Sequence, residues 1–190
     1  MKHKVFLIVG RTASGKTKLA HEVCSRLGLK LLKSYTTRPM RGNEDFNNCD
    51  HIFIDSSDVS KYKNRMVAYT VINNIEYFST IDQLLESDVY IIDPVGIDYL
   101  HTSKLPELNN IDFIEIYIRV PKSMNRRLAV QRGDNIENFT MRYKDESEQF
   151  DYYEKHQQFK YHVLNNSTFE EVANKLESII RRELSDTGNI

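Results

Sequence analysis

Covalent cross-links, long apolar runs and an excess of either charge are all scarce in this chain. Only two of its 190 residues are cysteine, Cys24 in a helical pattern and Cys49 in a polar loop. Two such residues make neither a disulfide framework nor a paired metal-ligand spacing, so a reducing cytoplasm is the expected setting. No stretch approaches the roughly 18 consecutive apolar residues a bilayer-spanning helix needs. Met1-Lys2-His3-Lys4 leads into only Val5-Phe6-Leu7-Ile8-Val9 before Gly10. That run is too short for a signal peptide and reads as a buried strand. With 26 Lys and Arg against 27 Asp and Glu the net charge is −1, which gives no general attraction for nucleic acid or anionic lipid. Neither nucleic acid nor membrane is an expected partner, and any anion site must be local.

What is present is ordinary for a globular protein, 40% hydrophobic and 28% charged residues, in a length that suits one compact domain. A monomer or homodimer is expected. The periodicity predicts strands at 4–9, 29–32, 51–54, 66–72, 75–78, 89–92, 111–120 and 161–164. Helices are expected at 16–27, stopped by Gly28, at 80–86, after Pro121 with Ser123 as cap and Met124, Leu128 and Val130 along it, at 136–155 as an exposed polar helix, and after Thr168. Thr168 and Glu171 form a capping box, and Val172, Leu176, Ile179 and Ile180 face inward. Asn73-Asn74 between two strand patterns signals a hairpin. Strands alternating with helices argue an α/β fold with a parallel sheet and insertions at strand ends.

Residues 10–17, Gly-Arg-Thr-Ala-Ser-Gly-Lys-Thr, match the phosphate-loop pattern G-x-x-x-x-G-K-[ST] and lie between a strand and a helix start, where the chemistry requires them. Gly10 and Gly15 let the backbone N–H groups of Arg11, Thr12, Ala13 and Ser14 curl around an anion, and the helix end adds its positive pole. Lys16 reaches the terminal phosphates of a nucleoside triphosphate, and Thr17 offers a hydroxyl to Mg²⁺. The arginines speak to the acceptor. Arg38 and Arg41, in a polar loop beyond the second strand, can grip a second phosphate with their planar forks. Arg127, Arg132 and Arg142 flank "QRGDN", a stretch suited to opening and closing over the reaction.

At this point the residues resemble guanylate kinases, nearly end to end. "SYTTRPMRGNE" at 34–44 is close to that family's S-x-T-T-R-x-x-R-x-G-E, and "DHIFI" at 50–54 stands where it has D-Y-x-F-V. "EYFST" at 76–80 stands for Y-Y-G-S-T, "IIDPVG" at 91–96 for D-x-D-x-Q-G, "RRLAVQRG" at 126–133 for R-L-x-x-R-G, and "HVLNN" at 162–166 for I-V-N-D. The resemblance implies a P-loop-type parallel-sheet core flanked by helices (1–33, 80–126 and 143–190), a small antiparallel insert for a nucleoside monophosphate (34–79) and a helical lid (127–142). It also implies ATP with Mg²⁺ as phosphoryl donor and GMP or dGMP as acceptor. By the same likeness Ser34, Arg38, Arg41 and Tyr77 hold the acceptor phosphate, with His51 at a position that donates to it. Glu44, Ser79 and Asp93 lie near the base and sugar, Arg127, Arg132 and Arg142 meet the transferring group, and Asn165 meets the adenine.

Three departures stand out. Ala68 takes the place of a glutamate that accepts from guanine, His51 replaces a tyrosine, and Ile91 replaces the first aspartate of D-x-D. The missing carboxylate weakens guanine selection. It also leaves open a kinase of another acceptor, such as a different deoxynucleotide or ribose 1,5-bisphosphate. A phosphopeptide-binding module of the same fold is a further alternative, and the intact phosphate loop argues against it.

Overall fold

The computed structural model describes residues 2–40, 49–131, 133–156 and 159–186. Two sheets organise it. The first is parallel, in the order β6-β1-β7-β8, from β1 (His3–Val9), β6 (Val89–Ile91), β7 (Ile111–Arg119) and β8 (Tyr161–Leu164). β1 is central, and its residues Val5 to Val9 are wholly buried, as a continuous apolar run in a strand covered on both faces demands. On one face lie α1 (Lys16–Leu27) and α6 (Phe169–Ser185), burying Leu19, Val23, Val172, Leu176 and Ile180 against Phe6, Ile8, Ile114 and Ile116. On the other lie α3 (Pro94–Thr102) and the second half of α5 (Ile136–His156), with Ile97, Leu100, Phe150 and Tyr153 against Val5, Leu7 and Val9. A four-strand parallel sheet between two helical layers is therefore the core, as the sequence implies.

The second sheet is the insert, ordered β3-β2-β5-β4 from β2 (Ser34–Thr36), β3 (His51–Phe53), β4 (Met66–Ile72) and β5 (Ile75–Thr80). β2 and β3 are parallel, while β2 with β5 and β4 with β5 are antiparallel. Asn73 and Asn74 both have positive φ, 51° and 61°, the backbone a two-residue hairpin turn of matching twist requires and one that asparagine tolerates. One face of this sheet packs Tyr35, Met66 and Phe78 under the 3₁₀ segment Ser56–Arg65 through Val59 and Tyr62. The opposite face, carrying Ser34, Thr36, His51, Ala68, Thr70, Tyr77 and Ser79, is set by the register pairs Ser34 with His51, Thr36 with Tyr77, Thr70 with Tyr77 and Ala68 with Ser79. It turns toward the core.

Several expectations shift. The strand at 29–32 reduces to one bridge, Leu31 to Val89. α3 escaped the periodicity because Pro94 and Gly96 read as breakers, whereas Pro94 in the first turn with Asp93 as cap is a helix start. α4 (Lys122–Gln131) begins one residue before Ser123, with the Pro121 carbonyl accepting from Met124 and Asn125. It buries Asn125 and Ala129, while Val130 is exposed. α5 is not solely an exposed helix, since it buries Phe139, Phe150 and Tyr153. Short α2 (Ile81–Leu85) carries a full Thr80–Gln83 capping box. Among the described residues no helix is long and apolar enough to cross a membrane.

The hairpin turn makes a stability test. Asn74→Val, which forces a β-branched side chain into the left-handed region, is expected to cost about 1–2 kcal/mol in urea unfolding, and Asn74→Gly to be close to neutral.

Candidate active site

Gly10 ends β1 where a side chain has no room: a Cβ there would lie 2.7 Å from Ser14 Oγ and 2.8 Å from the Ile118 carbonyl. Gly15, with φ +83°, caps α1, and a Cβ on it would stand 2.9 Å from Asn165 Nδ2. Between them the chain turns through Ala13 at φ 54°. Such a loop holds an anion only if its N–H groups face inward and its carbonyls are held elsewhere. Two side-chain amides meet that demand. Asn165 Nδ2 donates to the Ser14 carbonyl at 2.9 Å, and Asn125 Nδ2 to the Thr12 carbonyl at 2.9 Å. Lys16 lies along the loop with Nζ 3.2 Å from the Arg11 carbonyl. Thr17, in the first turn of α1, keeps an exposed side chain.

Arg11 points away from this concavity. Its guanidinium meets Asp151 at 2.5 Å and Glu154 at 2.8 Å through Nε, and lies 5.5 Å and 5.4 Å from the rings of Tyr143 and Phe150. Tyr117 adds a hydroxyl to the same Glu154 carboxylate. Burial alone would push the Glu154 carboxyl up, but the hydrogen bonds from Arg11 and Tyr117 outweigh it and hold the group below its ordinary range. Glu146, also on α5, accepts from the Thr12 N–H at 2.8 Å. The sequence marks Arg11 as a loop residue, yet its side chain is a tether to α5. Asn125, Glu146, Asp151 and Glu154 were not singled out there. The one visible signal was an asparagine on the apolar stripe of α4.

The segment expected as a lid, 127–142, falls in the hairpin of α4 and α5. Asn135 caps α5 by accepting from the N–H groups of Glu137 and Asn138, and Gly133 turns the chain at φ +82°. Ala129 and Phe139 pack on Ala13 of the phosphate loop. Arg127 and Arg142 are exposed on its two helices. Arg132, with Arg41 and Glu44, lies outside the described residues.

Across the cleft, the core-facing side of the insert gathers Ser34, His51 and Tyr77. Ser34 Oγ and His51 Nδ1 are 2.9 Å apart, and the His51 and Tyr77 rings meet edge-on at 5.5 Å. Arg38 follows on the same side, 7% exposed, its guanidinium 5.0 Å over the Phe53 ring. Between insert and phosphate loop stands Asp93. It accepts from the Gly96 N–H at 2.7 Å as cap of α3 and from Thr70 Oγ1 at 3.1 Å. Burial raises its carboxyl above the ordinary value, opposed by these two hydrogen bonds and by the charge of Lys16. Ser79 is fully buried, with Oγ donating to the Tyr90 hydroxyl at 3.0 Å. Of the loop amides expected to curl around an anion, the Thr12 N–H instead donates to Glu146 at 2.8 Å and the Ser14 N–H to the Arg11 carbonyl at 3.1 Å. The donor side is therefore the tip of α1 with Lys16, and the insert side gathers Ser34, His51, Tyr77 and Arg38.

No family model matches the chain, and no curated protein does. Among solved structures it is similar to the guanylate kinase from Anaplasma phagocytophilum, at 18% identity and a TM-score of 0.64, over 96% of this chain and 87% of that one. The fold is therefore guanylate-kinase-like.

The tether predicts a pH effect. Because Glu154 titrates low in the folded state, its contribution is present above its unfolded value and lost as pH falls through the folded one. Arg11→Met is expected to move the acid-unfolding midpoint to higher pH. At neutral pH it should cost about 1–2 kcal/mol, a loss moderated by the partial exposure of both carboxylates.

Proposed function

We propose that this protein transfers the γ-phosphoryl group of ATP to a nucleoside monophosphate, GMP or dGMP among them. The supporting observation is a pair of polar groupings, one at the phosphate loop and one on the insert, joined through the Thr70–Asp93 contact. Main-chain amides at the tip of α1 with Lys16 suit the donor, and the Ser34, His51, Tyr77 and Arg38 cluster suits the phosphate of an acceptor. Phosphoryl transfer asks little covalent chemistry of a protein. It needs in-line positioning and cations that follow the moving charge. Lys16 serves as that cation from the donor side, while Arg38 and Arg41 fix the acceptor. Arg127, Arg132 and Arg142 are positioned by sequence on the lid to cover the transferring group and to exclude water.

Thr17 offers an exposed hydroxyl beside the donor phosphates, and among the described residues no cluster of three acidic, histidine or cysteine side chains forms a metal cage. That fits Mg²⁺, which binds through few protein oxygens together with substrate phosphates and there neutralises phosphate charge. Asn165 is assigned to the adenine end only by resemblance, and its amide already holds the phosphate loop. Binding without turnover, as in a phosphopeptide module, would need neither Lys16 nor glycines whose replacement is sterically excluded.

ADP release coupled to a chromogenic assay, run with a panel of nucleoside monophosphates, tests this reading. Acceptor-independent ATP hydrolysis with no response to any monophosphate would refute it. Lys16→Ala is expected to lower kcat by roughly 10²–10³-fold or more with the melting temperature preserved. His51→Ala should raise the KM for acceptor by about tenfold or more and leave that for ATP unchanged, since a hydrogen bond to a charged group contributes about 1.5–3 kcal/mol.

A further inference from the structure

A site tells one base from another by polar groups that the wrong base leaves unpaired, an effect that reaches about 10⁴-fold or more. On the wall formed by β4 and β5 the side chains able to do this flank Ala68: Ser79 lies directly across the ladder and Thr70 two residues along. Both are engaged by the end of β6 and the residues that follow it. Thr70 Oγ1 donates to Asp93 at 3.1 Å, and Ser79 Oγ to the Tyr90 hydroxyl at 3.0 Å. Ala68 is 2% exposed, Ser79 0% and Tyr90 5%. Ala68 and Tyr90 belong to the apolar cluster of Val67, Ile81, Leu84 and Ile97. The corner is packed protein. A base edge could reach it only by displacing the Tyr90 ring and unpairing two buried hydroxyls, each at about 1–3 kcal/mol. The Ser34, His51 and Tyr77 cluster, by contrast, is only half-buried.

We infer that Tyr90, by closing this corner over Ser79 and Ala68, makes the acceptor site one that selects a ribose phosphate and leaves the edge of the base unread on the β4–β5 wall. This rests on the kinase reading above and specifies its acceptor: the shared ribose 5-phosphate part carries recognition. Phosphate meets Ser34, His51 and Tyr77, and the hydroxyl-rich sugar faces the Thr70–Asp93 pair, whose carboxylate retains acceptor capacity beside its two bonds.

The test uses the full chain with ATP and Mg²⁺, and measures kcat/KM and equilibrium binding for AMP, GMP, CMP, UMP and ribose 5-phosphate. The four nucleotides are expected to fall within about tenfold of one another, with ribose 5-phosphate binding within about tenfold of them, since the Thr70 and Ser79 hydroxyls on this wall are already paired and penalise no base. A preference above 100-fold for one base, with turnover intact, would overturn the inference and leave the kinase reading standing. Absence of acceptor-dependent ADP release for all five, with ATP still bound, would overturn the kinase reading and this inference with it. Tyr90→Ala, which opens the corner and frees Ser79, is expected to introduce a base preference of more than about tenfold. An unchanged flat ranking in the folded variant would refute the role given to Tyr90. Should that variant fail to fold, the panel on the unsubstituted protein decides alone.

Discussion

Everything in the cleft depends on how the carbonyls of the phosphate loop are disposed of. A loop that turns its N–H groups toward an anion leaves the opposing carbonyls in want of donors, and burial makes an unpaired one costly. Here Asn125 and Asn165 supply those donors to Thr12 and Ser14. One comes from the first helix of the lid hairpin, the other from the end of the last core strand. The loop therefore takes its shape from distant parts of the sequence as well as from its own glycines. Ala13, wedged against Ala129 and Phe139, completes this support.

The insert obeys a different rule. Its outer face is a small aromatic core, with Tyr35 and Phe78 at 5.1 Å and Tyr35 and Tyr62 at 4.7 Å, which helps a short sheet hold its register. That frees the other face for polar work. Part of this work binds the insert to the core, through Thr70 to Asp93 and Ser79 to Tyr90. The remainder, Ser34, His51 and Tyr77, is left at the cleft. One sheet face thus carries both a structural seam and a candidate binding surface, separated by about two residues of strand.

Period and punctuation exposed much of this in the sequence. Strands such as Met66–Ile72 and Tyr161–Leu164, the helix Lys16–Leu27 and the Thr168 capping box stand where the pattern puts them. Local interactions set their ends, and local interactions are what a sequence shows. The features that escaped are tertiary. Polar residues along 136–155 read as a solvated face, yet Glu146, Asp151 and Glu154 turn toward Arg11 and Thr12. Charge on a helix does not say whether its partner is water or a buried guanidinium. Tyr90 read only as part of the strand at 89–92, whereas β6 stands at the edge of its sheet and the Tyr90 hydroxyl meets Ser79 of the insert. Asp93 was expected near the base and sugar. The structure shows the cap directly, by its bond to Gly96, and sets the same carboxylate within reach of the field of Lys16.

These tethers also restrict how the cleft can close. α5 is joined to the phosphate loop by a salt-bridged, largely buried Arg11 and by Glu146, with the partial exposure of Asp151 and Glu154 screening the ion pairs. Swinging α5 as a rigid rod away from the loop would break all of these contacts at once. At the hairpin, Ala129 and Phe139 pack on Ala13, while Arg127 and Arg142 sit on exposed surface. On the insert side, the β4–β5 wall is pinned to Asp93 and Tyr90, whereas β3 is an edge strand held in its sheet by β2. Among the described residues these contacts fix the phosphate loop to α5 and the β4–β5 wall to Asp93 and Tyr90.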